Sequence, residues 1–284
     1  MKRTKLFGLM MVLVVGMGFT ACTEDDDAFI NITVEGNVPE TLTVGESLTI
    51  NYSVISSDRL DIIEHLINND VVESVEEFTS NTSHTGSFTI TAEEVGTIYA
   101  TIRITDRKGE IKPRDFSIEV ESNIESFTAV LMGNFDDTQL GSFFSTVTGE
   151  VYKITPAGEN SELIDFVYFY GSNNSATITA PDNDEIIGTG AGQVYGPVAN
   201  WSTRNATRFN QLFSGITVEE FDAMNNDALI VANTASDVDL KMANFLNKDA
   251  LVAFITVDGK KGIFKVADLD TEAKTITIDV KVQK

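Results

Sequence analysis

The chain has 284 residues, 42% of them hydrophobic, with 18 Phe, one Trp and one Cys. That is enough apolar material for two packed domains of ordinary size. The formal net charge of −23, from 43 acidic and 20 basic residues, argues against nucleic acid as a partner and against docking on anionic lipid through the protein surface.

The chain opens on Lys2, Arg3 and Lys5, then runs almost unbroken through apolar residues from Leu6 to Phe19. The run is short for a stable membrane span and has the build of a secretory signal. Small residues, Thr20 and Ala21, precede Cys22. Residues 1–21 are read as a signal peptide and Cys22 as a lipidation site, the first residue of the mature protein. The alternatives are an ordinary cleaved signal with Cys22 left free, or an uncleaved N-terminal helix. With Cys22 acylated, no thiol remains for a disulfide, a metal site or a nucleophile.

Phe19-Thr20-Ala21-Cys22 resembles the lipobox of bacterial lipoprotein precursors, with Phe19 where that family usually has Leu. After Thr23, the acidic run Glu24 to Asp27 looks like the surface-export signal of Bacteroidetes-type lipoproteins. The resemblance implies a diacylglyceryl thioether and an amide-linked acyl chain on Cys22. Several acyl chains hold a protein firmly where one holds it marginally. It implies further that the partner is the outer membrane, through the lipid, and that the protein faces the cell exterior.

Residues 22–28 read as an acidic tether. From Phe29 the texture is strand. Leu48, Ile50, Tyr52 and Val54 alternate with polar residues, as do Phe88 and Ile90, and Ile98 through Ile104. Leu60 to Leu66 suits a strand or a short helix, and the turn residues Asn68-Asn69-Asp70 favour the strand. About seven short strands over 29–122 give the spacing of a β-sandwich. The region resembles the Ig-like or PKD-like N-terminal modules of cell-surface proteins, Sus-type lipoproteins among them, without a Cys pair or a Trp. Its histidines, His65 and His84, read as structural or exposed rather than as metal ligands, because zinc needs three or four convergent ligands.

Ser122 to Ser126 is a polar junction. Residues 126–284 are expected to form an α+β domain with a mostly antiparallel sheet, a second sandwich being the alternative. The whole chain is thus mainly β. Leu163 to Tyr170 is apolar on both alternating faces, the pattern of a strand covered on both sides. Hairpins are expected at Thr148-Gly149 and Asp258-Gly259. Thr217-Val218-Glu219-Glu220 is a capping box opening a helix to about Asn226. Leu229 to Val231 reads as a short strand and Asp239 to Leu246 as a second short helix.

This second region has no His and no Cys, which excludes Ser-His-Asp and Cys-His sites and His-ligated metals there. There is no phosphate loop, and Gly188-Thr189-Gly190-Ala191-Gly192 matches a dinucleotide loop only in composition. With so many acids, any one carboxylate pair says little about glycoside hydrolysis. The expectation is therefore a non-enzyme. Asp182, Asp184 and Glu185 offer hard oxygens in a loop, as do Asp136 and Asp137, and calcium is the ion they would suit. No other cofactor is expected. Residues 182–200 are long, Gly-rich and weakly periodic, the kind of loop where function often sits. Tyr195, Trp201, Arg204 and Asn205 in and after it are the candidate platform for a glycan. Docking on a partner protein, with the first module as spacer, is the competing expectation.

Overall fold

The computed structural model describes residues 29–235 and 238–284. The expected lipidation at Cys22 and the tether lie outside the described residues. Among these, no helix is long and apolar enough to cross a membrane. The chain separates into two compact units, one of residues 29–37, 50–88 and 100–116, the other of residues 38–49, 89–99 and 117–284.

Eight strands fill the first part: β1 (Ile30–Val34), β2 (Thr41–Thr43), β3 (Ser47–Ser56), β4 (Leu60–Ile67), β5 (Asp70–Val75), β6 (Ser83–Thr91), β7 (Gly96–Asp106) and β8 (Ile111–Glu121). They form a three-stranded sheet, β1-β3-β6, and a five-stranded one, β2-β8-β7-β4-β5. The short β2 pairs parallel with β8. Period-two burial follows the sequence pattern: Ile50, Tyr52 and Val54 are buried on β3, and Ala100, Ile102 and Ile104 on β7. Leu60–Ile67 is a strand, and its turn to β5 places Asn68 and Asn69 at φ 52° and 72°, the left-handed region Asn tolerates.

His65 is a buried structural group. Its Nδ1 lies 2.9 Å from a Glu73 carboxylate oxygen and its Nε2 lies 2.8 Å from the Tyr52 hydroxyl. A carboxylate only accepts, so Nδ1 donates to Glu73. The ring stacks on Phe88 at 4.6 Å. Burial, then the charge of Glu73, pushes the Tyr52 hydroxyl up to about 12. His84 lies within β6, not ahead of a strand as its Ser/Thr-rich surroundings suggest, and burial lowers its pKa.

The remaining elements are β9 (Ile124–Met132), β10 (Phe143–Phe144), β11 (Val151–Tyr152), α1 (Ile154–Glu159), β12 (Phe166–Gly171), β13 (Ser175–Thr179), β14 (Arg208–Leu212), α2 (Val218–Ala223), α3 (Ala228–Asn233), β15 (Met242–Ala243), β16 (Leu251–Ile255), β17 (Lys261–Asp270) and β18 (Thr275–Gln283). The antiparallel strands divide into two sheets, β11-β10-β12-β13-β15 and β14-β16-β17-β18-β9. One core cluster joins Phe144, Phe166 and Ile178 to Phe254, Phe264 and Ile278. On the far side of the second sheet, Phe221, Met224 and Ile230 of the α2–α3 region cover Leu251, Ala253 and Ile263. On the far side of the first, Ala157 of α1 and Val198 pack with Phe143 and Val167. This is why β12 is apolar on both faces: Phe166 and Tyr168 belong to one cluster, Val167 to the other.

The capping box at Thr217 forms as expected, with Glu220 N–H donating to Thr217 Oγ1 and Thr217 N–H to Glu220. Three local expectations are corrected. The segment around Leu229 to Val231 is helical (α3), because Ile230 packs beside Phe221 under the sheet. Asp239 to Leu246 is not a helix: Met242–Ala243 pairs with β13 instead, and Leu246 N–H donates to Ala176 O. The junction after Ser122 is already strand from Ile124.

Asp165 precedes β12 and is buried, its Oδ2 accepting from Thr146 N–H at 2.9 Å and Thr146 Oγ1 at 2.6 Å. Burial raises its pKa against the opposing pull of those donors. A carboxyl whose folded pKa lies above its unfolded one stabilises fully below the unfolded value and loses that contribution as pH rises through the folded value. Urea midpoints of wild type and Asp165→Asn should therefore diverge against wild type as pH rises out of the ordinary carboxylate range. A difference that does not change with pH would contradict this.

Candidate functional site

The irregular segment after β13 lies on the outer face of its sheet. Ile187 and Val198 are buried there, and Trp201 packs 5.1 Å from the Phe143 ring. Gly158 makes room for it: a Cβ at that position would meet Trp201 Nε1 at 2.9 Å.

The four residues of the expected glycan platform separate into different roles. Tyr195 donates its hydroxyl to Tyr168 O at 2.7 Å and sets its ring edgewise 4.9 Å from Phe143. Trp201 is half-buried against the same Phe143. Arg204 donates to Pro181 O at 2.7 Å and to Asp184 at 2.6 Å. Asn205 is buried and donates to Glu162 O at 2.8 Å and Ile164 O at 2.9 Å, pinning the chain ahead of β12. Arg204 and Asn205 thus hold the loop in place.

The three acids of the expected calcium loop do not converge. Asp182 accepts two bonds from Arg208, at 3.0 and 2.8 Å. Asp184 pairs with Arg204, whose guanidinium lowers its pKa, and Glu185 is exposed. Among the described residues no group of three or more His, Cys, Asp or Glu could hold a metal ion.

Tyr195 instead helps line a pocket of about 460 Å³, within the ~300–1,000 Å³ range of small-ligand sites. Its walls come from the loop after β9 (Phe135, Asp136, Asp137, Leu140), from Phe143, and from Lys153 ahead of α1. Phe135 is 46% exposed and lies 6.2 Å from the Tyr195 ring, so part of an aromatic ring at the pocket meets solvent. The Tyr195 backbone is left-handed, at φ 52°, a strained state for a bulky side chain. The bond to Tyr168 O and the contact with Phe143 hold it there. Burial pushes the Tyr195 hydroxyl far above its ordinary value, so it stays protonated.

The polar wall is equally fixed. Asp137 Oδ1 accepts the N–H groups of Gln139 at 2.7 Å and Leu140 at 2.9 Å, and these bonds hold its pKa below the ordinary carboxylate range. Asn134 is buried, accepts from Tyr170 N–H at 2.6 Å and donates to Asp136 at 2.6 Å. Lys153 Nζ donates to Thr138 O at 3.2 Å. Sequence reading finds Tyr195 and the Asp136-Asp137 pair but misses Phe135 and Lys153. The available signal was an aromatic set between the turn residue Asn134 and two acids.

No family model matches the chain, and no curated protein matches it. Among solved structures, a DUF4466 family protein from Parabacteroides merdae is similar over 90% of this chain and 98% of its own, at 13% identity and a TM-score of 0.44. The fibronectin(III)-like modules of Clostridium thermocellum CbhA are similar over 88% of this chain and 91% of their own, at 12% identity and a TM-score of 0.26. A CARDB domain from Pyrococcus furiosus, in complex with di-metal ions, covers 33% of this chain and 93% of its own, at 11% identity and a TM-score of 0.27.

Proposed function

We propose that this chain is a non-enzymatic surface lipoprotein that holds a saccharide in the pocket walled by Phe135 and Tyr195. The observation that carries the reading is the half-exposed Phe135 ring beside two anchored carboxylates. An apolar sugar face needs an aromatic wall, and its hydroxyls need fixed acceptors nearby. Asp136 and Asp137 are neighbours on one loop, not acids set on opposite sides of a bond to be cleaved.

On a glycan array, the purified full-length chain should bind at least one saccharide, and Phe135→Ala should weaken that binding about tenfold or more. Phe135 is exposed enough that the fold should survive its loss. Trp201→Ala serves as the contrast: it should lower stability through the Phe143 contact more than it lowers affinity. No hit on any glycan would contradict the reading.

The membrane attachment is proposed from the signal and lipobox pattern ending at Cys22. Cys22→Ser should move the protein out of the membrane fraction and abolish labelling by a fatty-acid probe. A variant that stays membrane-bound would overturn the anchor.

A further inference from the structure

Three charged side chains line the pocket: Asp136, Asp137 and Lys153. Lys153 is committed to the Thr138 carbonyl at 3.2 Å. Asp137 is held in its ionised form by two backbone N–H groups, with Lys153 adding a smaller pull. Asp136 is exposed, yet it is anchored through a buried amide: Asn134 bonds it at 2.6 Å and is itself fixed by Tyr170 N–H on the central strand β12. The rim therefore presents a positioned carboxylate next to an exposed aromatic ring. That pairing suits an ammonium group, which is drawn to both. A carboxylate or sulfate on the ligand would meet two carboxylates against one lysine, on a chain that already carries −23.

We propose that the pocket prefers a saccharide bearing a free amino group over its neutral and anionic counterparts. This rests on the saccharide reading of the pocket given above.

The test compares four disaccharides by calorimetry on the full-length chain, at pH 6 and low salt: a β-1,4-linked glucosamine disaccharide, its N-acetylated form, cellobiose, and a glucuronate-containing disaccharide. The free amine should bind about fivefold tighter than cellobiose or the N-acetylated form, an effect of the size expected of one partly exposed charge pair. The glucuronate form should bind weakest. Asp136→Asn should bring the amine and neutral forms within about twofold of each other. Phe135→Ala should weaken all of them. Equal affinity for amine and neutral forms, or tighter binding of glucuronate, would overturn the preference and leave the saccharide reading standing. A preference that survives both variants would mark unspecific attraction to an acidic surface and would equally overturn it. Failure of every disaccharide and of the glycan array would remove the saccharide reading itself, and the preference with it.

Discussion

Replacing Phe166 with alanine is expected to lower stability by about 3–5 kcal/mol, the range for removing a large buried aromatic. Phe166 is fully buried and joins the two antiparallel sheets of the larger unit. Its ring lies 5.5 Å from Phe144 on its own sheet. Across the interface it lies 5.5 Å from Phe209, 4.9 Å from Phe254 and 5.7 Å from Phe264. Four rings would face the void, and none can fill it without leaving its own contacts. Urea unfolding should show the loss, whereas Phe135→Ala, at a half-exposed ring, should stay within about 1 kcal/mol of wild type. A small effect at Phe166 would mean that the sheets do not share one core.

The second large effect is expected at Lys281. This lysine on β18 is buried, and its Nζ donates to Phe221 O at 2.7 Å, Asp222 O at 3.1 Å and Met224 O at 2.7 Å. These carbonyls gather at the end of α2, where Phe221 O also accepts from Met224 N–H at 3.2 Å. The ammonium also sits 5.1 Å over the Phe221 ring. Lys281→Met keeps most of the apolar stem and removes all three donors. The expected loss is about 2–4 kcal/mol, less than three full desolvation penalties because a six-residue helix can fray toward water. Faster hydrogen exchange confined to residues 218–224 would identify the cause. Unchanged exchange there would show that the lysine does not hold the helix end.

The fold was legible wherever one short stretch carries its own physics. Leu163 to Tyr170 shows double-sided burial in its letters. The Thr217 box and the Asp258-Gly259 turn follow from local hydrogen bonding and from glycine's access to φ 82°. Where the signal was three apolar residues in a row, as at Leu229 to Val231, no period distinguishes helix from strand, and packing under the sheet decided it. Leu240, Ala243 and Leu246 have helical spacing, yet Leu240 is 61% exposed while the other two are buried along β13. Long-range pairing outweighed a weak local preference there. α1 was missed because Pro156 and Gly158 argue against a helix, although Pro is tolerated in a first turn. The pocket was legible only in part. Phe135, Lys153 and Tyr195 are far apart in the chain, and nothing in any one stretch says that three loops will meet. Arg204 and Asn205 carried the right chemistry for a ligand, but the loop needed their donors first.

We propose that a saccharide rests in this pocket. Chemical-shift mapping of the aromatic and amide resonances, on titrating the tightest-binding sugar, tests it most directly. The largest shifts should fall on Phe135, Asp136, Leu140 and Tyr195. Shifts gathered elsewhere, with Phe135 and Tyr195 unmoved at saturation, would contradict it.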